Sequence, residues 1–159
     1  MGFVALAILV EDGRPVFFTQ QRLGEGRRSF TIFKFRSMRN GRVTRIGRVL
    51  RATGLDELPQ FINMLRGDMS AVGPRPLEEA DVIRLGWSTP RYDFRWRVPP
   101  GLTGLAQVLG SGGCRRSLLL DRLYIARRGM CLDVRLVALS FAINALGKKR
   151  VRELLLRRT

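Results

Sequence analysis

The sequence predicts a small α+β domain, mainly helical, and three observations carry that expectation. The run PVFFTQQRLGEGRRSFTIFKFRSM, residues 15–38, is extended in character and broken only at residues 24–26, so it reads as a small β-hairpin. Most of the chain after Thr44 places apolar residues at helical spacing between Gly and Pro breaks. Finally, 159 residues with 45% hydrophobic and 26% charged content suit one ordered domain with a modest core.

The opening apolar run GFVALAILV, residues 2–10, is too short to span a bilayer, which takes about twenty residues. It lacks the basic start and cleavage site of a signal peptide and by itself reads as a buried strand or a helix end. Residues 11–14 are expected to turn, with Gly13 and Pro15 as punctuation. In the hairpin, Phe17, Phe18, Phe30, Phe33 and Phe35 read as core or membrane-facing groups rather than a platform for bases, because no RNA-binding signature accompanies them. Lys34 and Arg36 share one side of an extended run, so both are expected to reach a single anion. A brief linker at Asn40 and Gly41 leads to a helix capped by Thr44 and running through Thr53. Its Ile46, Val49 and Leu50 oppose Arg45, Arg48 and Arg51, which form either a solvated basic face or one turned toward phosphates.

The centre of the chain is residues 53–76, TGLDELPQFINMLRGDMSAVGPRP. Asp56 is expected to cap a short helix with Pro59 in its first turn and Gly67 as a left-handed stop; Leu58, Phe61, Ile62 and Leu65 make its apolar face. An Asp at such a place is ordinarily a cap and nothing more. Here Arg45, Arg48 and Arg51 lie upstream, and Arg75 stands between Pro74 and Pro76, so guanidinium groups can converge on the helix's positive end and bind phosphate. Pro74 and Pro76 fix a rigid turn whose cis or trans state the sequence leaves open.

Residues 77–96 begin acidic and read as helical up to Gly86, after which Pro90, Pro99 and Pro100 break regularity. Trp87 and Trp96 suit either close packing or a membrane-interface belt. The GSGGC segment, residues 110–114, is a flexible loop and not a phosphate cradle, for it lacks the Lys and Ser or Thr of a P-loop. Helices are then expected from Ser117 and from a cap near Asp133. The apolar run 134–146 falls short of a membrane span and is followed by Lys148, Lys149 and Arg150, which suits an interfacial helix or a buried one.

A formal net charge of +16 implies a polyanionic partner: nucleic acid, an anionic membrane face, or nucleotide and lipid phosphates. The absence of His removes imidazole catalysis, so any acid, base or nucleophile of this kind is a carboxylate. Cys114 and Cys131 are too few for a disulfide framework or a zinc site and read as free thiols. A carboxylate can serve as a nucleophile toward phosphorus, giving an acyl phosphate and splitting one displacement into two.

The ordered strings KFRSM (34–38), LDELPQ (55–60), LRGDMS (65–70), VGPRP (72–76) and PGLTGLAQV (100–108) resemble the bacterial sugar transferase family, the monotopic polyprenyl-phosphate phosphoglycosyl transferases. The resemblance implies a monotopic, membrane-associated protein with amphipathic interfacial helices on the cytoplasmic face of the bacterial inner membrane. Residues 1–12 would be a remnant of an N-terminal re-entrant membrane segment, with its leading half missing, and residues 13–159 the catalytic domain.

The same resemblance implies a UDP-sugar donor, a polyprenyl (undecaprenyl) phosphate acceptor, and release of UMP at the first step of surface glycan assembly: exopolysaccharide, O-antigen, capsule or glycoprotein. It makes Asp56 the nucleophile toward the β-phosphate and Glu57 a magnesium partner or a base toward the acceptor, the two carboxylates holding Mg2+. Arg75, Arg51 and Arg36, with Lys34 and Arg97, become phosphate contacts. Tyr92, Arg95 and Arg97 fall at substrate-side positions, and Asp121 and Asp133 at acidic positions with a capping, structural or metal role. Residues reading the sugar are expected within 77–96 and in the loop after Val108. No nucleic acid partner is expected, and a homo-oligomer is left open. The rival readings are a nucleic-acid or membrane-surface binding module, which leaves the Asp-Glu and Pro-Arg-Pro strings unexplained, and a truncated, inactive relative.

Overall fold

A computed structural model describes residues 1–110 and 112–146, so Lys148, Lys149 and Arg150 lie outside the described residues. The α+β class, mainly helical, is borne out. Helix α1 (Gly2–Asp12) comes first, takes in the first two residues of the expected turn, and ends as expected at Gly13, φ 69°, ahead of Pro15. Its end is tied to later parts of the chain: the Glu11 carboxylate accepts the backbone N–H groups of Arg45 and Ile46 at 2.9 and 2.8 Å, and the Asp12 carbonyl accepts from Arg36 at 2.9 Å.

Strands β1 (Phe17–Leu23) and β2 (Ser29–Phe35) form the expected antiparallel hairpin, Phe17 facing Phe35 at one end and Leu23 facing Ser29 at the other. β2 is the inner strand and buries Phe30, Ile32 and Phe35. A second, two-residue hairpin follows, β3 (Met38–Arg39) with β4 (Arg42–Val43). Asn40 and Gly41 both take positive φ there, 48° and 76°, so the expected linker is a tight turn of the Asn-Gly kind.

Helix α2 (Arg45–Thr53) is capped as expected, the Thr44 hydroxyl accepting the Gly47 N–H at 2.9 Å. Leu50 is buried with Ile8 and Phe35, while Ile46 packs beside them. Gly54, at φ 73°, ends α2 in the left-handed region and sends the chain straight into a single 3-10 turn, Leu55–Glu57.

Asp56 therefore does not cap the next helix. That helix, α3 (Gln60–Leu65), starts after Pro59, whose missing N–H makes it a natural first residue; Gly67 stops it with φ 80° as expected. Its expected apolar face is also reversed. Gln60 and Asn63 are buried, whereas Phe61, Ile62 and Leu65 are exposed, Leu65 to 90%. The reason is a strand edge that needs partners. The Asn63 side chain, 0% exposed, accepts the Phe33 N–H at 3.2 Å and donates to the Thr31 carbonyl at 2.7 Å and to Asp68 at 3.2 Å. Asn63→Ala orphans both strand groups and is expected to cost about 2–4 kcal/mol, measurable by denaturant unfolding.

Strand β5 (Ser70–Val72) runs parallel to a later strand, β6 (Gly101–Thr103), with helix α4 (Glu79–Arg84) between them. This pairing explains why the VGPRP and PGLTG strings occur together. Gly73 donates to the Thr103 carbonyl at 2.9 Å and Gly101 to the Pro74 carbonyl at 3.0 Å, and a Cβ on either glycine would run into the facing backbone. The Pro-Arg-Pro turn is thus clamped onto the neighbouring loop, with Pro74 and Pro76 buried and trans.

The last helices are α5 (Leu105–Leu109), α6 (Cys114–Arg127) and α7 (Met130–Leu146). α6 begins at Cys114 rather than Ser117, directly after Gly113 at φ 114°. α7 begins at Met130, so Asp133 lies within its first turn and is not its cap. Instead, the buried Tyr124 hydroxyl shares its one proton between Asp133 Oδ1 and the Val72 carbonyl, each at 3.0 Å, joining α6, α7 and β5 around a core of Val72, Val108, Tyr124 and Leu136. Trp87 and Trp96 are packed, with Val82, rather than set in a belt. No helix among the described residues is long and apolar enough to cross a membrane.

Candidate active site

The 3-10 turn after α2 presents Asp56 and Glu57 between three basic side chains from three different elements. Lys34 of β2 places its Nζ 2.6 Å from Glu57 Oε1. Arg51 comes from the last turn of α2, and Arg75 from the clamped turn after β5. Together these five residues form the charged part of the lining of a cleft of about 330 Å³, within the size range of small-molecule sites. A second recess of about 230 Å³ opens on the hairpin side, lined by Phe18, Gln20, Arg22, Lys34, Arg51 and Asp56 among others. Asp56 thus faces both spaces.

Burial, and then the adjacent Glu57 charge, push the Asp56 carboxyl above its ordinary value; Lys34 and Arg51 work against this. The Asp56 side chain takes no hydrogen bond from another described residue, unlike Glu57, which Lys34 holds. Among the described residues no three acidic or thiol groups gather as a metal cage. A pair of adjacent carboxylate donors fits magnesium, which takes one or two carboxylates and completes its shell with phosphates and water.

The structure brings together Asp56, Glu57, Lys34, Arg51 and Arg75. Arg36 lines the hairpin-side recess, yet its guanidinium donates to the Asp12 and Gly13 carbonyls at 2.9 and 2.8 Å. Lys34 and Arg36 thus both line the hairpin-side recess, with Lys34 engaged by Glu57 and Arg36 by the carbonyls at the end of α1. Arg97 is exposed and lines neither space.

Arg95 corrects the sequence reading most clearly. It is buried, with Nε 2.8 Å from Asp121 Oδ2, both side chains 3% exposed, and it lies over the rings of Trp87 and Trp96 at 5.4 and 5.6 Å. Its Nη2 donates to the Arg75 carbonyl at 2.8 Å. Arg95 and Asp121 therefore hold the backbone of a site residue, and neither lines the cleft or the recess. Burial raises the Asp121 carboxyl, outweighing the opposing pull of Arg95. Tyr92 stacks on Trp87, 6.0 Å between centroids, and no residue of 77–96 lines either space.

Sequence reading missed Phe18, Gln20 and Arg22. Their signal was available, since alternate residues of a strand share a face and Phe18 stands directly opposite Lys34. It also missed Thr103 and Gln107, within a string noted only for resemblance, and Ser140 and Asn144 of α7.

The family model described as bacterial sugar transferase matches residues 1–146. The chain is 42% identical to the undecaprenyl-phosphate glucose phosphotransferase of Komagataeibacter xylinus, over 86% of this chain and 30% of that protein. It is 40% identical to the UDP-N-acetylgalactosamine-undecaprenyl-phosphate N-acetylgalactosaminephosphotransferase of Aeromonas hydrophila, over 84% of this chain and 36% of the relative. It is 45% identical to the UDP-glucose:undecaprenyl-phosphate glucose-1-phosphate transferase of Caulobacter vibrioides, over 77% of this chain and 51% of the relative. The chain thus spans between about a third and a half of the length of these three relatives.

Proposed function

The chain belongs to the bacterial sugar transferase family, and from that premise we propose that it transfers a sugar 1-phosphate from a UDP-sugar to polyprenyl phosphate, yielding UMP and a polyprenyl diphosphate sugar. An Asp56 carboxylate oxygen attacks the β-phosphorus. The bond from that phosphorus to the bridging oxygen breaks, and its electron pair leaves on UMP. The phosphosugar remains on Asp56 as an acyl phosphate. A phosphate oxygen of the lipid then attacks the same phosphorus, and the Asp56 carboxylate leaves unchanged. The observation that carries this reading is a carboxylate that takes no hydrogen bond from another described residue, set among Lys34, Arg51 and Arg75 in a protein without His.

The basic side chains stabilise charge on the transferred phosphoryl group, and Lys34 orients Glu57. Asp56 and Glu57 would hold Mg2+, which offsets repulsion between an anionic nucleophile and an anionic diphosphate. We place the chain at the cytoplasmic face of the bacterial inner membrane; contact with a membrane surface as such is supported by large apolar side chains left exposed on its helices, Phe3 on α1, Phe61 and Leu65 on α3 and Phe141 on α7. The product would open assembly of a surface glycan.

The test is UMP release by detergent-solubilised protein from a panel of UDP-sugars, with and without undecaprenyl phosphate and Mg2+. Sustained release that needs both additions is expected, and no release from any sugar contradicts the reading. The pH dependence carries a second expectation. Because the Asp56 pKa is raised, kcat/KM should fall on acidification through a pKa above the ordinary carboxylate value. Glu57→Gln removes a charge that raises it, so the residual activity of that variant should lose its acid limb at lower pH. An unmoved limb would assign the titration to another group.

A further inference from the structure

The lining of the cleft is of two chemical kinds. Beside the carboxylates and cations it carries neutral polar groups, Thr103 from β6 and Ser140 and Asn144 from α7, together with Val108 and Ile143. Thr103 is only 7% exposed, and its hydroxyl oxygen has no hydrogen-bond partner, an arrangement that costs free energy unless something else occupies the site. Ser140 and Asn144 lie one helical turn apart, so they share a face of a helix that is otherwise almost wholly apolar around them. Neither side chain is bonded to another described residue. Asn144 also lies against Gly54, two residues from Asp56, which places this wall next to the reacting centre.

We propose that Thr103, Ser140 and Asn144 form the subsite that reads the hydroxyl groups of the donor's sugar. This rests on the reading of the cleft as a phosphoglycosyl transferase site. Two hydroxyls and a carboxamide offer both donors and acceptors without charge, which is what an array of sugar hydroxyls requires. The pyrimidine of the donor is the other neutral group needing a place. No aromatic side chain lines this cleft, whereas Phe18 lines the hairpin-side recess across Asp56, with Gln20 and Arg22 beside it. Base and sugar thereby fall on opposite sides of the nucleophile. Sugar selectivity then resides in β6 and the far half of α7, not in residues 77–96.

The test compares wild type, Ser140→Ala, Asn144→Leu, the double variant and the conservative Ser140→Thr. UDP and several epimeric or N-acetylated UDP-sugars are the probes, and affinity is measured in the Asp56→Asn background so that no turnover intervenes. The preferred UDP-sugar should bind more tightly than UDP. Each single removal should lower that increment by about 10-fold while UDP affinity stays within twofold, and Ser140→Thr should retain it. With active protein, the ratio of kcat/KM between epimeric donors should fall by the same factor. An increment that survives the double variant, an absent increment, or an equal loss of UDP affinity overturns the proposal. If the active protein releases UMP from no donor, the transferase reading fails separately, and the binding increment still decides the subsite.

Discussion

Asp56→Asn is expected to lower UMP release by about 10³-fold or more while leaving the melting temperature no lower than that of wild type. The first half follows from chemistry, because an uncharged carboxamide is no nucleophile toward phosphorus and the described residues offer no imidazole to replace it. The second half follows from linkage. The folded-state pKa of Asp56 is raised above its unfolded value by burial and by Glu57, so the native state holds a proton that the unfolded chain has already released. Stability therefore falls as pH rises from the unfolded value through the folded one, and the deficit persists at neutral pH. Asn removes that deficit and loses no cap, since Asp56 caps nothing. The advantage of the variant should shrink on acidification toward the unfolded pKa. A variant that melts well below wild type would show that Asp56 is a structural residue.

Arg95→Met is expected to destabilise the protein by about 3–5 kcal/mol, the usual consequence of leaving one member of a buried ion pair alone. Asp121 would remain 3% exposed without the guanidinium that now lies at 2.8 Å, and the Arg75 carbonyl would lose its donor. Part of the loss should return in a double variant that replaces both partners with apolar groups, Arg95→Met with Asp121→Leu, because the stranded charge is then gone. Well below the melting temperature, single and double variants should share a raised KM for the donor, since both release the Arg75 backbone. Urea unfolding with donor kinetics checks both statements. A loss under about 1 kcal/mol would mean that the pair is solvated.

These two arginines show where sequence reading stops. Arg75 and Arg95 are the same residue type in the same kind of motif-rich surroundings, and one lines the cleft while the other is buried behind it. The difference comes from Asp121, Trp87 and Trp96, which lie close only after folding. The hairpin was legible because strand alternation and the break at Gly24 are local signals, as were the Thr44 cap and the Gly67 stop. That Asp56 and Glu57 gather with Arg51 and Arg75 was legible because these residues stand close together in the sequence, while the role of the carboxylates came from the resemblance of the ordered strings.

Helix α3 was misread for a physical reason. Apolar spacing locates an apolar face but does not say which way it points, and here the demands of Thr31 and Phe33 on the β2 edge, met by Asn63, turned that face outward. Glu11 acts in the same long-range way, since its carboxylate serves N–H groups 34 and 35 residues further on, at the start of α2.

The central claim is that Asp56 carries the phosphosugar between donor and acceptor. Intact-mass spectrometry of the protein after mixing with its preferred UDP-sugar and Mg2+, without lipid, tests this most directly. The account predicts a mass gain of one phosphosugar, stoichiometric with UMP released, mapped to the peptide containing Asp56, absent in Asp56→Asn and discharged by undecaprenyl phosphate. Steady turnover with lipid but no covalent adduct without it, or an adduct that persists in Asp56→Asn, would contradict it.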